Sequence, residues 1–156
     1  MGLQTDKILK DINSGKIDDA SIDEIDSIDE AKVRSQIAEN IDALYPSHSQ
    51  FATECGIHAS QLSDFINQKK HFGRDNLLTI FIALHYDCDQ IQDTLKHLGE
   101  ATLYARNKRD RRIIKAVRDG KSLDEIDQFL MDGDFEPLSQ NAKETDKGNR
   151  QRSNQK

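Results

Sequence analysis

The chain is predicted to be all-helical, and three observations carry that prediction. Its 156 residues hold only two Pro and eight Gly, so long segments run without a backbone breaker. Alternating runs of β-branched and aromatic residues are scarce, whereas apolar residues recur at spacings of three and four. Ser47 with Gln50, and Ser122 with Glu125, match the pattern that opens a helix by capping its first amides.

Taken in order, residues 13–30 ("NSGKIDDASIDEIDSIDE") scatter isolated Ile among seven acids. Residues 1–30 are therefore expected to form an acidic segment, flexible or weakly helical. From Ala31 to Leu44, Val33, Ile37, Ile41 and Leu44 mark a helix with one buried face. Pro46 stops it, because the residue before a proline is pushed out of helical geometry. Ser47 then caps a second helix reaching about Cys55, Gly56 permits a tight turn, and a third helix runs from about Ala59 to Asn67. Arg74 to Leu84 and Asp89 to Leu98 supply a fourth and a fifth.

The segment that follows repeats its predecessor at a period of 35 residues. Arg74 and Asp75 align with Arg109 and Asp110, Asp89 with Asp124, Ile91 with Ile126, Leu95 with Leu130, and Leu103 with Leu138. This is a second helical hairpin, with Gly120 ending one helix before Ser122 opens the next. Two copies are too few for a free-standing solenoid, so the hairpin at 104–138 is expected to pack on the domain formed by 31–103. Beyond Leu138 apolar residues almost vanish, and 139–156 is expected to be a disordered polar tail.

Composition narrows the function classes. With 35% hydrophobic and 32% charged residues and no Trp, the chain can bury one modest core. Its net charge of −6 is uneven: residues 1–44 carry −6 and 141–156 carry +3. Cys55 and Cys88 are far apart, the first residues lack the apolar core of a signal peptide, and no apolar run reaches membrane-spanning length. A cytoplasmic protein with no membrane association is expected. His85-x-x-Cys88 lacks two further ligands, and no phosphate loop, nucleophile elbow or zinc-binding helix motif occurs. Neither a metal, a cofactor nor an enzymatic activity is expected.

The stretch "SHSQFATECGIHASQLSDFIN" (47–67) has what two crossing helices need. Ala52 is the small residue at the crossing, Gly56 makes the turn, and Phe51, Cys55, Ile57, Leu62 and Phe65 anchor the pair. That leaves Ala59, Ser60, Ser63 and Asp64 on the outer face of the second helix, with Gln61 at its edge.

These residues resemble the helix-turn-helix of the Cro/CI (XRE) family, and 31–103 resembles its five-helix, lambda-repressor-like DNA-binding domain. The continuation, with its basic loop, Arg-Asp, Leu-Tyr link and second Arg-Asp-x-x-Ile-Ile helix, resembles a subgroup common in Gram-positive bacteria. The resemblance covers roughly 31–138 and implies a sequence-specific transcriptional regulator that binds double-stranded DNA as a homodimer. Helix 57–67 would read the major groove through Ala59, Ser60, Gln61, Ser63 and Asp64. Ser47, His48, Asn67, Lys69 and Lys70 would hold phosphates.

Two further readings stand beside this one. Residues 104–121 hold eight bases and two acids, so Arg111, Arg112, Lys115 and Arg118 form a candidate secondary basic patch. Residues 58–67 contain no Lys or Arg, and Asp64 lies on the outer face. The alternative is therefore a protein interaction module that keeps the fold without reading DNA, taking its partner on the acidic N-terminal segment or on the 104–138 hairpin.

Overall fold

A computed structural model describes residues 19–146, with side chains from Glu30 onward. Among the described residues every regular element is a helix: α1 (Asp19–Leu44), α2 (His48–Cys55), α3 (Ala59–Ile66), α4 (Arg74–Ala83), α5 (Cys88–His97), α6 (Lys108–Arg118) and α7 (Leu123–Asp132). A further helical stretch covers 140–146. The expectations for 1–18 and 147–156 fall outside the described residues.

Helix α1 starts well before Ala31, where the apolar spacing begins. Ile37 and Ile41 are fully buried as that spacing requires, but Leu44 is 53% exposed. Leu44 is the last residue of the helix, and the chain turns there so that Tyr45, not Leu44, meets Phe51 edge-on at 4.9 Å. The buried face instead takes in Arg34, only 4% exposed, which shares the 34, 37, 41 stripe with the two isoleucines.

Helices α2 and α3 form the first hairpin. The Ser47 hydroxyl accepts the Gln50 amide at 3.1 Å, and α2 ends at Gly56 with φ of 70°. A Cβ on Gly56 would lie 3.0 Å from side-chain and backbone atoms of Asn141, so the left-handed backbone favours glycine and the close approach leaves little room for a side chain. Phe51, Ala52, Cys55, Ile57, Leu62 and Phe65 are all buried, as their anchor positions predict. Burial, with the neighbouring Glu54 carboxylate adding to it, pushes the Cys55 thiol up to about 12. Cys55 should therefore escape alkylation at neutral pH and react once the chain is unfolded in urea, a difference readable by peptide mass spectrometry.

The 35-residue repeat is structural as well as sequential. Helices α4 and α5 form one hairpin, α6 and α7 the next. Left-handed residues recur at His85 and Gly120, and again at Gly99 and Asp134. The Gln92 side chain holds both backbone groups of Leu103, at 2.7 and 2.9 Å, and Asp127 accepts the Leu138 amide at 2.7 Å in the matching place. Full capping boxes open α5 at Asp87 with Gln90 and α7 at Ser122 with Glu125.

A reciprocal pair of ion pairs joins the two hairpins. Arg74 makes a two-pronged bond to Asp110, at 2.9 and 2.7 Å, and Arg109 does the same to Asp75, at 3.0 and 3.1 Å. Each arginine also donates to carbonyls at the exit of its own hairpin: Arg74 to Ala101 and Thr102, Arg109 to Glu136 and Pro137.

The stretch after Leu138 departs from the disordered tail that its composition predicts. Ser139 is buried, its hydroxyl donating to Asp127 at 2.7 Å and accepting the Ala142 amide at 3.2 Å, which caps the 140–146 helix. Lys143 reaches Asp75 at 2.8 Å. Polar side chains hold this helix down, so low apolar content is a poor guide to its order.

Candidate nucleic-acid interface

Helix α3 presents the expected face. Ala59, Ser60, Ser63 and Asp64 are exposed, Gln61 is half-buried at the edge, and Leu62 and Phe65 are fully buried beneath. Its N-cap residue, His58, makes no side-chain capping bond. The first amides of α3 thus lack a side-chain cap, a feature that suits an anionic neighbour. Eight residues rise about 12 Å, close to the width of a major groove.

The proposed phosphate contacts occupy unequal positions. Ser47 uses its oxygen as the α2 cap, leaving its hydroxyl hydrogen to donate. His48 Nε2 lies 2.7 Å from Asp42, so it serves phosphate only by leaving that carboxylate. Asn67 donates to Ser63 at 3.4 Å, joining a backbone candidate to a base-reading one. Lys69 and Lys70 are exposed, and among the described residues neither has a carboxylate within ion-pair distance. They follow the Lys69 amide bond to the Asp64 carbonyl, 2.7 Å, which closes the end of α3.

The residue that places this loop is Arg34, which motif spacing did not single out. Its Nη1 donates to the Phe65 carbonyl at 2.6 Å and to the Lys70 carbonyl at 2.8 Å, and its guanidinium lies 4.4 Å above the Phe65 ring. Glu30 stands 3.7 Å away on the previous turn, while Arg34 Nε is buried without a hydrogen-bond partner. One buried cation therefore locks α1, the end of α3 and the lysine loop together. The signal was present in the sequence: Arg34 falls on the same helical stripe as Ile37 and Ile41.

The secondary basic patch is only partly open. Arg111 and Arg118 are exposed, and Lys115 is exposed but pairs with Asp119 at 2.9 Å. Arg112 turns inward: it donates to the Phe129 carbonyl at 2.9 Å and sits 4.5 Å over the Phe129 ring. Its place is inside the α6–α7 hairpin, because the flat guanidinium covers an aromatic face that would otherwise meet water.

Among the described residues, no helix is long and apolar enough to cross a membrane, and no group of three or more His, Cys, Asp or Glu residues is arranged to hold a metal ion. Compared with protein-family models, with curated proteins and with solved structures, the chain matches none of them.

Proposed function

We propose that this protein is a transcriptional regulator of the Cro/CI (XRE) helix-turn-helix type, with a lambda-repressor-like domain, that binds double-stranded DNA. Helix α3 enters the major groove, where Ser60, Ser63 and the edge residue Gln61 meet base edges, Ala59 offers a methyl contact to thymine, and Asp64 accepts from a cytosine amino group. Lys69 and Lys70, aided by Ser47, His48 and Asn67, hold the backbone on either side. The protein acts in the cytoplasm, without catalysis, as a homodimer whose two α3 helices meet two half-sites.

The observation that carries this reading is the pairing of an open α3 face with a lysine loop that Arg34 fixes against the end of the same helix. Recognition needs that coupling, because backbone contacts set the register in which side chains meet bases. Selection from a random pool of duplex DNA at two salt concentrations should enrich a two-fold symmetric motif. Lys69→Glu with Lys70→Glu should weaken binding to every sequence and reduce the salt slope by about 1 per lysine, whereas Ser60→Ala should change preference at one position and leave the slope alone.

A second reading draws on Asp64 and on the absence of Lys and Arg from residues 58–67. In it the same face docks on a protein, with a basic partner drawn to the acidic N-terminal segment. Failure to enrich any sequence at either salt concentration would favour this reading.

A further inference from the structure

Helix α6 has a charge pattern that its packing does not explain. Lys108, Arg111, Lys115 and Arg118 are all exposed and recur at spacings of three, four and three, so they form one stripe along the outer side. The inner side buries Ile113 and Ala116. The other two arginines of this helix are engaged within the fold, Arg109 with Asp75 and Arg112 with the Phe129 carbonyl. Lys108 therefore replaces Arg112 as the fourth member of the open cationic surface.

The stripe has little to neutralise it. Among the described residues only Lys115 meets a carboxylate, that of Asp119 on its own helix. Arg111 donates its Nε to the Ala105 carbonyl at 3.0 Å, which holds the loop beside the stripe while the residue remains exposed. That loop adds exposed Arg106 and Tyr104, the latter 59% exposed. Lys108 and Arg111 also lie in the first turns of α6, where the helix dipole disfavours cations. Three cations without a carboxylate partner on one face, two of them placed against the dipole, make a surface suited to an anion outside the molecule.

We propose that the α6 stripe is a second backbone-contact surface for duplex DNA, a reading that rests on the proposed DNA-binding function. From Lys108 to Arg118 the helix rises about 15 Å, and one strand of a duplex offers a phosphate every ~3.4 Å along its axis. The stripe thus spans about five successive phosphates, and exposed Tyr104 adds a flat group at one end. The surface belongs to the last hairpin and α3 to the first, so the two are built from separate elements and can be altered independently.

The test is the salt dependence of duplex binding by the full chain carrying Lys108→Gln, Arg111→Gln and Arg118→Gln, beside wild type and the Lys69→Glu, Lys70→Glu variant. Lys115 is left in place because it is already paired. Loss of three contacts should lower the slope of log affinity against log salt by about 2.7, with an unchanged unfolding midpoint showing that the fold is intact. An unchanged slope in the triple variant, with a reduced slope in the Lys69 and Lys70 variant, would overturn the stripe and leave the α3 interface standing. A reduced slope in the triple variant alone would support the stripe and count against α3. Absence of duplex binding by wild type even at low salt would overturn both.

Discussion

Replacing Asp110 with alanine is expected to lower the unfolding free energy by about 3 kcal/mol, because it strands a part-buried arginine. The Asp110 side chain is 7% exposed and that of Arg74 is 23% exposed. Asp110 accepts both prongs of Arg74 and also the Tyr104 amide at 2.9 Å. Its loss leaves the guanidinium hydrogen-bonded to two carbonyls alone, with Asp75 and Glu100 as its nearby carboxylates, and an amide with no acceptor. Urea unfolding monitored by circular dichroism reads the change, and a loss below about 1 kcal/mol would show that the joint contributes little. Replacing both partners, Arg74→Met with Asp110→Leu, should recover part of the loss, since neither member of the pair is then left without the other.

The same joint sets an acid limit on the fold. Burial alone would raise the Asp75 and Asp110 carboxyls, but Arg109 and Lys143 on Asp75, and Arg74 with the Tyr104 amide on Asp110, outweigh it and hold both below the usual carboxylate range. A depressed carboxyl stabilises the folded state above its unfolded value, about 4, and loses that contribution as pH falls through the lower folded value. Asp127 acts in the opposite sense. Burial outweighs its bonds from Ser139 and Leu138 and raises it, so its contribution is present at low pH and lost as pH rises through the folded value. The acid limb of a stability profile should accordingly be steeper in wild type than in Asp110→Ala.

The second large effect is expected at Phe65, where alanine should cost about 3–5 kcal/mol by leaving a cavity in the first hairpin. Phe65 is fully buried, stacks on Phe72 at 4.8 Å and lies under the Arg34 guanidinium. Truncation removes two aromatic contacts at once and uncovers a buried cation. The Arg34 side chain donates to the backbone carbonyls of Phe65 and Lys70, bonds that survive only if α3 keeps its place. Hydrogen exchange should therefore speed up over 65–70 more than over α6 and α7. Phe65→Leu, which keeps most of the volume, should lose far less stability. Equal losses for the two substitutions would rule out cavity formation as the cause.

What the sequence made legible was the part governed by periodicity and local chemistry. The caps at Ser47 and Ser122, the turns at Gly56 and Gly120, and the buried set from Phe51 to Phe65 all follow from spacing and residue type, so α2, α3 and α7 start close to where they were predicted. The outer face of α3 followed from the same periodicity. Arg34 and Arg112 were harder to place, because a charged residue is ordinarily assigned to solvent and only its partners reveal otherwise. Arg34 is buried by two carbonyls and a ring that are 31 to 36 residues away. The 35-residue repeat revealed that the Arg-Asp pairs correspond, but not that they cross, since equivalence in sequence does not state which copy meets which. The helix over 140–146 is illegible for a similar reason: Ser139, Gln140 and Lys143 dock through polar groups distant in the chain.

The crossing of those pairs has a consequence for how far such a chain can grow. When one surface meets a copy of itself, each half supplies what the other lacks and the contact is complete, as in an isologous dimer; a head-to-tail contact instead leaves one free donor and one free acceptor at the ends. Arg74 with Asp110, and Arg109 with Asp75, form a contact of the first kind within a single chain. The two hairpins therefore behave as a closed pseudo-dimer, with no identical seam left over for a further hairpin to occupy.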